Sequence, residues 1–250
     1  MKVSIDINCD LGESFGVYRM ADDERLLDWV TSANVACGFH AGDPSTMRRA
    51  VRACLAKGVA IGAHPGLQDL AGFGRRAMSI SSDEAYEIVL YQVGALDAFI
   101  RAEGGSLRHI KPHGALYHMA ENNPGIAEAI VRAAAAYDDG IAVYGIAHGK
   151  LAACADRFGL KAVHEAFADR TYESAGKLTP RSSAHAVIAD PQDAAKQALL
   201  IAKDRCVITV SGDRIPLQAD SICIHGDSSH AAATAEAIHR AFVAAGLKAT

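Results

Sequence analysis

The stretch VSIDINCDLGE, residues 3–13, opens as an apolar, β-prone run and closes on ionisable side chains. Residues 3–7 read as a strand, and Asn8, Asp10 and Glu13 follow at once. The same pattern recurs along the chain. Residues 33–37 lead into His40 and Asp43, 59–63 into His64, and 109–110 into Lys111 and His113. Residues 141–146 lead into His148, 162–163 into Glu165 and Asp169, and 221–224 into His225 and Asp227.

Helix signals separate these runs. Asp43-Pro44 offers an N-cap with proline at the first helical position. Met47, Ala50, Val51, Cys54 and Leu55 then share a face, and Gly58 closes the segment. Ser81-Ser82-Asp83-Glu84 fits a capping box before a long helix through Val89, Val93, Leu96 and Ile100, which Gly104-Gly105 ends. A last helix over about 229–245 buries Ala235, Ile238 and Phe242. Strand and helix in alternation imply parallel strands joined by right-handed crossovers. The expected fold is α/β: a TIM-like, seven-stranded parallel β/α barrel forming one domain over 1–250. Side chains just past its strand ends would converge on one mouth, where barrel enzymes assemble their sites. The rival is an open doubly wound sheet, which gathers its chemistry at one switch point instead. Residues 171–190, with Gly176, Pro180 and several serines, read as a long loop or lid.

Composition narrows the function. The 250 residues are half hydrophobic, enough for a large core, and the formal net charge of −4 argues against a nucleic-acid partner. No apolar run reaches the length of a membrane span, and an acid at position 6 comes too early for a signal peptide. A cytoplasmic protein is expected. The six cysteines are scattered singly, as reduced, buried hydrophobes would be; neither Cys9 nor Cys37 has an evident base nearby in sequence.

Each motif has a chemical and a plain reading. Asp10 could be a metal ligand or general base, or only a turn carboxylate. Asp6 lies within or at the end of a strand, where a carboxylate is costly to bury unless paired, so it is a site candidate. His40, His64 and His113 follow successive strands, and Asp/His ligands of this kind suit a catalytic divalent metal. Asp43 and Asp227 are better explained as helix caps. Gly72-Phe73-Gly74-Arg75-Arg76 could hold a carboxylate or phosphate through forked hydrogen bonds, or be a surface turn. Lys111 beside His113 could polarise a carbonyl or bind a carboxylate. GIAHGKL, residues 145–151, imitates a P-loop but is one residue short and has leucine in place of the magnesium-binding hydroxyl. No G-x-S-x-G elbow supports serine-hydrolase chemistry.

The segments DINCDLGESFGVYRM (6–20), TSANVACGFHAGD (31–43), AIGAHPG (60–66), GFGRRAM (72–78), HIKPHGALY (109–117), EAFADRTY (165–172), Pro180-Arg181 and ADSICIHGD (219–227) together resemble the LamB/YcsF family. They keep the family's order and depart from it at Ala21, where the family has glycine. The family is identified with the A subunit of the bacterial ATP-dependent 5-oxoprolinase. The resemblance implies hydrolysis of 5-oxo-L-proline to L-glutamate, with ATP as co-substrate and with partner subunits B and C. It also implies a barrel similar to the polysaccharide deacetylases. Analogy with those enzymes maps metal ligands onto Asp10, His64 and His113. Asp6, His40, Lys111 and Glu165 are then candidates for proton transfer and carbonyl polarisation, and Arg75, Arg76 and Arg181 for anion binding. Two alternatives stay open: a metal-dependent deacetylase or amidohydrolase acting alone, and a non-catalytic substrate-binding subunit.

Overall fold

The structure is a computed structural model that describes residues 4–20, 23–227 and 230–250. Val3, Ala21 and Ser229, which figure in the readings above, lie outside the described residues. Among the described residues, seven parallel strands close into a barrel: β1 (Ser4–Leu11), β2 (Ser32–Ala36), β3 (Ala60–His64), β4 (Leu107–Ile110), β5 (Ala142–Ile146), β6 (Lys161–Phe167) and β9 (Ser221–Ile224). Each pairs with the next, and β9 returns to β1 with Asp6 opposite Ser221. The closed barrel, not the open sheet, is the observed architecture. Between β6 and β9 lies an antiparallel hairpin, β7 (Cys206–Ile208) with β8 (Arg214–Pro216), and the short β10 (Lys248–Ala249) adds to the start of β1.

Helices α1 (Asp23–Leu26), α2 (Pro44–Lys57), α3 (Ser82–Ala102), α4 (Gly114–Asn122), α5 (Pro124–Tyr137), α6 (Lys150–Arg157), α7 (Pro191–Leu199) and α8 (Ala231–Ala244) connect and cover the strands. The expected caps are present. Asp43 accepts from Thr46 N at 2.8 Å, Ser81 and Glu84 form the reciprocal box, and Gly58 ends α2 in the left-handed region. Residues 171–190 form an irregular wall, as expected. Among the described residues, no helix is long and apolar enough to cross a membrane.

Two kinds of interior result from the two-residue period of the strands. Ile5, Ile7, Cys9 and Leu11 of β1 face the helices and join the main core, with Val89, Val93, Leu96 and Ile100 of α3 fully buried against it. Burying each such side chain stabilises the fold by about 1.5–3 kcal/mol. Asp6, Asn8 and Asp10 alternate with them and point into the barrel. The barrel is therefore filled largely by polar groups, which must satisfy one another.

Candidate active site

Inside the barrel the polar groups form one hydrogen-bonded column. At its floor Asp6 accepts from Thr31 at 2.6 Å, Ser32 at 2.9 Å, Tyr144 at 3.0 Å and also Ser221. Above it Asn8 donates to Ser221 Oγ at 2.7 Å and to Glu165 Oε1 at 2.9 Å, and accepts from Asn34 at 2.8 Å. Asn34 also donates to Asp10 at 2.9 Å, and its own carbonyl oxygen accepts from His109 at 2.7 Å. His109 fits only because β3 has Gly62 opposite it, where a Cβ would overlap the ring. At the top, Lys111 Nζ lies 2.8 Å from Glu165 Oε1, 3.0 Å from Asp10 Oδ1 and 3.0 Å from Cys223 Sγ. Tyr117 donates to the other Glu165 oxygen at 3.0 Å.

Two placements differ from expectation. Strands β1 and β6 run on to Leu11 and Phe167, so Asn8, Asp10 and Glu165 lie within strands and point inward, not past strand ends. Asp6, a candidate for proton transfer, sits at the floor. Two pleats below Asp10, it is about 13 Å from the mouth group at ~3.3 Å per residue.

The buried charges set one another. Burial opposes ionisation of Asp10, but His64 and Lys111 outweigh it and hold its carboxyl well below the ordinary range. Burial likewise opposes the Lys111 charge, yet Asp10, Cys223 and Glu165 hold its ammonium well above the ordinary lysine value. Lys111 is therefore a fixed cation and not a proton acceptor. Burial pushes the Cys223 thiol well up, so Cys223 is no nucleophile.

Beside this column stand three imidazoles. His40 stacks on His113 with ring centroids 3.7 Å apart, and its Nε2 lies 3.2 Å from Glu13 Oε1. Gly74, in the left-handed region at φ 62, lets the 72–76 loop cross directly over His40; a Cβ there would lie 2.6 Å from the His40 Cβ. His64 Nδ1 donates to the Lys111 carbonyl at 2.7 Å, and His113 Nε2 donates to the Phe73 carbonyl at 2.8 Å. Because a carbonyl can only accept, both tautomers are fixed. The remaining nitrogens, His64 Nε2 and His113 Nδ1, face each other at 3.0 Å. Burial, then the charges of His40 and His64, keep His113 neutral by pushing its pKa well down. Facing each other at this distance, the two nitrogens require either a shared proton or a metal cation between them.

A divalent metal fits that requirement. Ligand atoms of Glu13, His40, His64 and His113 lie within 4.8 Å of one another, all buried, and the ring nitrogens not facing the cluster at His64 and His113 are anchored on carbonyls as metal-bound histidines usually are. Asp10, expected as a ligand, lies 3.5 Å from His64 Nε2 and groups with Cys223 and His225 instead. Glu13 stands in the opening motif with no role assigned to it from sequence; its signal is the i+3 spacing from Asp10 around the tight turn at Gly12.

A cavity of about 440 Å³ opens over these groups, lined by Asp10, His64, Lys111, His113 and Tyr117 below and by Arg75, Arg170, Thr179, Arg181 and His225 around its sides. His225 Nδ1 lies 2.9 Å from Asp169, which its backbone N–H also reaches at 3.1 Å, so a carboxylate orients the ring. Arg75 is paired with Asp227 at 2.5 Å, which gives Asp227 a partner other than the helix end expected for it. Arg76 does not share the cavity. It turns out to solvent and pairs with Asp69, its Nε 3.0 Å from Oδ2, so its assignment to anion binding is not supported by its position. His40 is one ring back, reaching the cavity through His113.

Comparison with known proteins adds to this geometry. The LamB/YcsF family model matches residues 5–250. The chain belongs to the LamB/YcsF family. It is 53% identical over 244 residues, 98% of this chain and 96% of the relative, to a protein of Brevibacillus brevis described as the A subunit of 5-oxoprolinase. A protein of the same description from Bacillus subtilis strain 168 is 49% identical over 98% of this chain and 96% of the relative. Among solved structures, a lactam utilization protein from Thermus thermophilus superposes with a TM-score of 0.94 at 43% identity, covering 100% of this chain and 99% of that one. Likeness at this level places this LamB/YcsF chain in the same closed-barrel fold.

Proposed function

We propose that this chain, as one barrel domain, is the ring-opening subunit of an ATP-dependent 5-oxoprolinase, converting 5-oxo-L-proline to L-glutamate in the cytoplasm with partner subunits B and C. The observation that carries the reading is a cavity with a fixed ammonium, a carboxylate and two apposed imidazoles on its floor and arginines on its walls. That is the equipment for opening an anionic amide, and relatives at about half identity are described as the A subunit of 5-oxoprolinase.

A five-membered lactam recloses readily because its reacting groups stay together, so opening needs an external drive. The chain has no P-loop, and the division of labour follows: the partners spend ATP to phosphorylate the lactam oxygen, and this chain finishes the reaction. Arg75 seats the substrate carboxylate. Water adds to the activated carbon, assisted by Asp10. The ring C–N bond then breaks as His225, oriented by Asp169, delivers a proton to the departing nitrogen. A second water releases phosphate from the acyl phosphate that remains. Lys111, with Glu165 and Tyr117 holding it in place, stabilises the negative charge that develops on oxygen. Glu13, His40, His64 and His113 would hold a divalent ion, whose chemistry there would be Lewis-acid polarisation of the carbonyl.

The test measures glutamate release by this chain, by the partners and by the mixture, with and without ATP. Only the mixture with ATP should be active, and Asp10→Ala or His64→Ala should abolish release without unfolding the chain. ATP-dependent turnover by the chain alone would refute the division of labour. Metal-dependent, ATP-independent cleavage of an N-acyl compound would instead favour the amidohydrolase reading, for which the four-residue His/Glu cluster speaks.

A further inference from the structure

The cavity wall contains a second set of polar groups that the ring-opening chemistry does not use. Arg170 is buried, 3% exposed, yet it makes no ion pair among the described residues. Its Nε donates to the Ala186 carbonyl at 3.0 Å and one terminal nitrogen to the Thr179 carbonyl at 2.6 Å. The other terminal nitrogen has no protein partner among the described residues. Thr179 lines the same cavity, is 6% exposed, and its buried hydroxyl has no hydrogen-bond partner among them either. A buried hydroxyl left unanswered beside a guanidinium is costly unless a ligand completes it. Arg181, two residues on from Thr179, supplies a further cation on the wall, with no carboxylate partner among the described residues.

These groups repel one another in the free protein. Burial first, then the charge of Arg181 and also that of Arg75, draws the Arg170 guanidinium down to about 10. Arg75 has its own counter-ion in Asp227; Arg170 and Arg181 have none in direct contact among the described residues. Two arginines and a hydroxyl donor on one cavity wall offer more donors than one planar carboxylate takes, and suit the several oxygens of a phosphoryl group.

We propose that Arg170, Thr179 and Arg181 form a phosphoryl-binding subsite, separate from the position that Arg75 provides for the substrate carboxylate. It rests on reading this cavity as the reaction chamber, and deepens it: the chain takes a ligand bearing two anions, one of them phosphoryl. The loop 171–190 then has a definite task, since Arg170 pins it through Thr179 and Ala186 while its own side chains complete the subsite.

The test uses the purified full chain and titration calorimetry with inorganic phosphate, with 5-oxo-L-proline, and with each in the presence of the other. Phosphate should bind, and saturating 5-oxo-L-proline should leave its affinity within about twofold. Thr179→Val, which keeps the shape and removes the hydroxyl, and Arg181→Ala at the exposed wall should each weaken phosphate binding about tenfold. Neither should change 5-oxo-L-proline binding by more than about twofold. Phosphate binding that both variants leave intact, an adventitious ion only, or strict competition between the two ligands would overturn the subsite. The outcome is distinguishable from failure of the proposed function. If Asp10→Ala abolishes glutamate release while phosphate ignores Thr179 and Arg181, the function stands and the subsite falls. The opposite pair of results leaves the subsite and removes the function.

Discussion

His64 Nε2 and His113 Nδ1 face each other across 3.0 Å while the far nitrogen of each ring is tied to a main-chain carbonyl. Neither ring can turn to relieve the contact without breaking a buried hydrogen bond. The protein should therefore take up one divalent ion per chain, detectable by elemental analysis after exposure to Zn²⁺ or Mn²⁺ and desalting. His64→Ala or His113→Ala should lower affinity at least about a hundredfold. Retained stoichiometric metal in both variants would place the ion elsewhere.

The fully buried His109 should make stability depend on pH. Burial, then the charge of Lys111, lowers its pKa from 6.5 to about 3. The lowered folded value means that the unfolded chain binds the proton first. Its contribution is complete above pH 6.5 and is lost as pH falls towards 3, at up to about 1.4 kcal/mol per pH unit. Urea unfolding between about pH 8 and pH 4.5 checks this, and His109→Gln should remove about one proton from the slope.

Lys111 neutralises two buried carboxylates at once, Asp10 and Glu165. Lys111→Met keeps most of the volume but strands both, and should destabilise the fold by about 3–5 kcal/mol near neutral pH. A loss below about 1 kcal/mol would mean that the carboxylates find other partners. Adding Glu165→Gln to Lys111→Met should recover part of the loss, since one stranded charge disappears.

The two adjacent arginines of the 72–76 loop should separate cleanly. Arg75→Ala removes a cation from the cavity wall and should lower kcat/KM of the reconstituted enzyme about ten- to a hundredfold. Arg76→Ala, which faces solvent beside Asp69, should stay within about twofold. Equal losses in a folded protein would show that the loop acts as a unit.

The alternation of strands and helices, and hence the barrel, was legible because parallel strands buried on their outer face read as apolar runs. The ends of two strands were not. Asn8, Asp10 and Glu165 are polar and look like the residues that follow a strand, yet a barrel with a polar interior has such residues inside its strands. The same resemblance raised Asp6 to the active face, when counting pleats would have left it at the floor. His64, His113, Lys111 and Arg75 converge on the cavity as the pattern suggested. Arg76 does not, because Asp69, seven residues upstream, captures it in a pairing that no local motif announces. Arg170 stood in the segment EAFADRTY with no role attached to it and Thr179 in no motif; the path of the 171–190 loop brings them together.

Asp6 and Ser221 meet across β1 and β9 although 215 residues separate them in the chain. A ribosome delivers the first strand early and its closing neighbour almost last. Until β9 arrives, β1 has an open edge, and Asn8 lacks Ser221, Lys111 lacks Cys223, and the cavity lacks His225. Such long-range closure is slow compared with local helix formation. The nascent chain therefore spends most of its synthesis with an unsealed seam running through its future reaction chamber, and catalytic competence is the final event of its maturation.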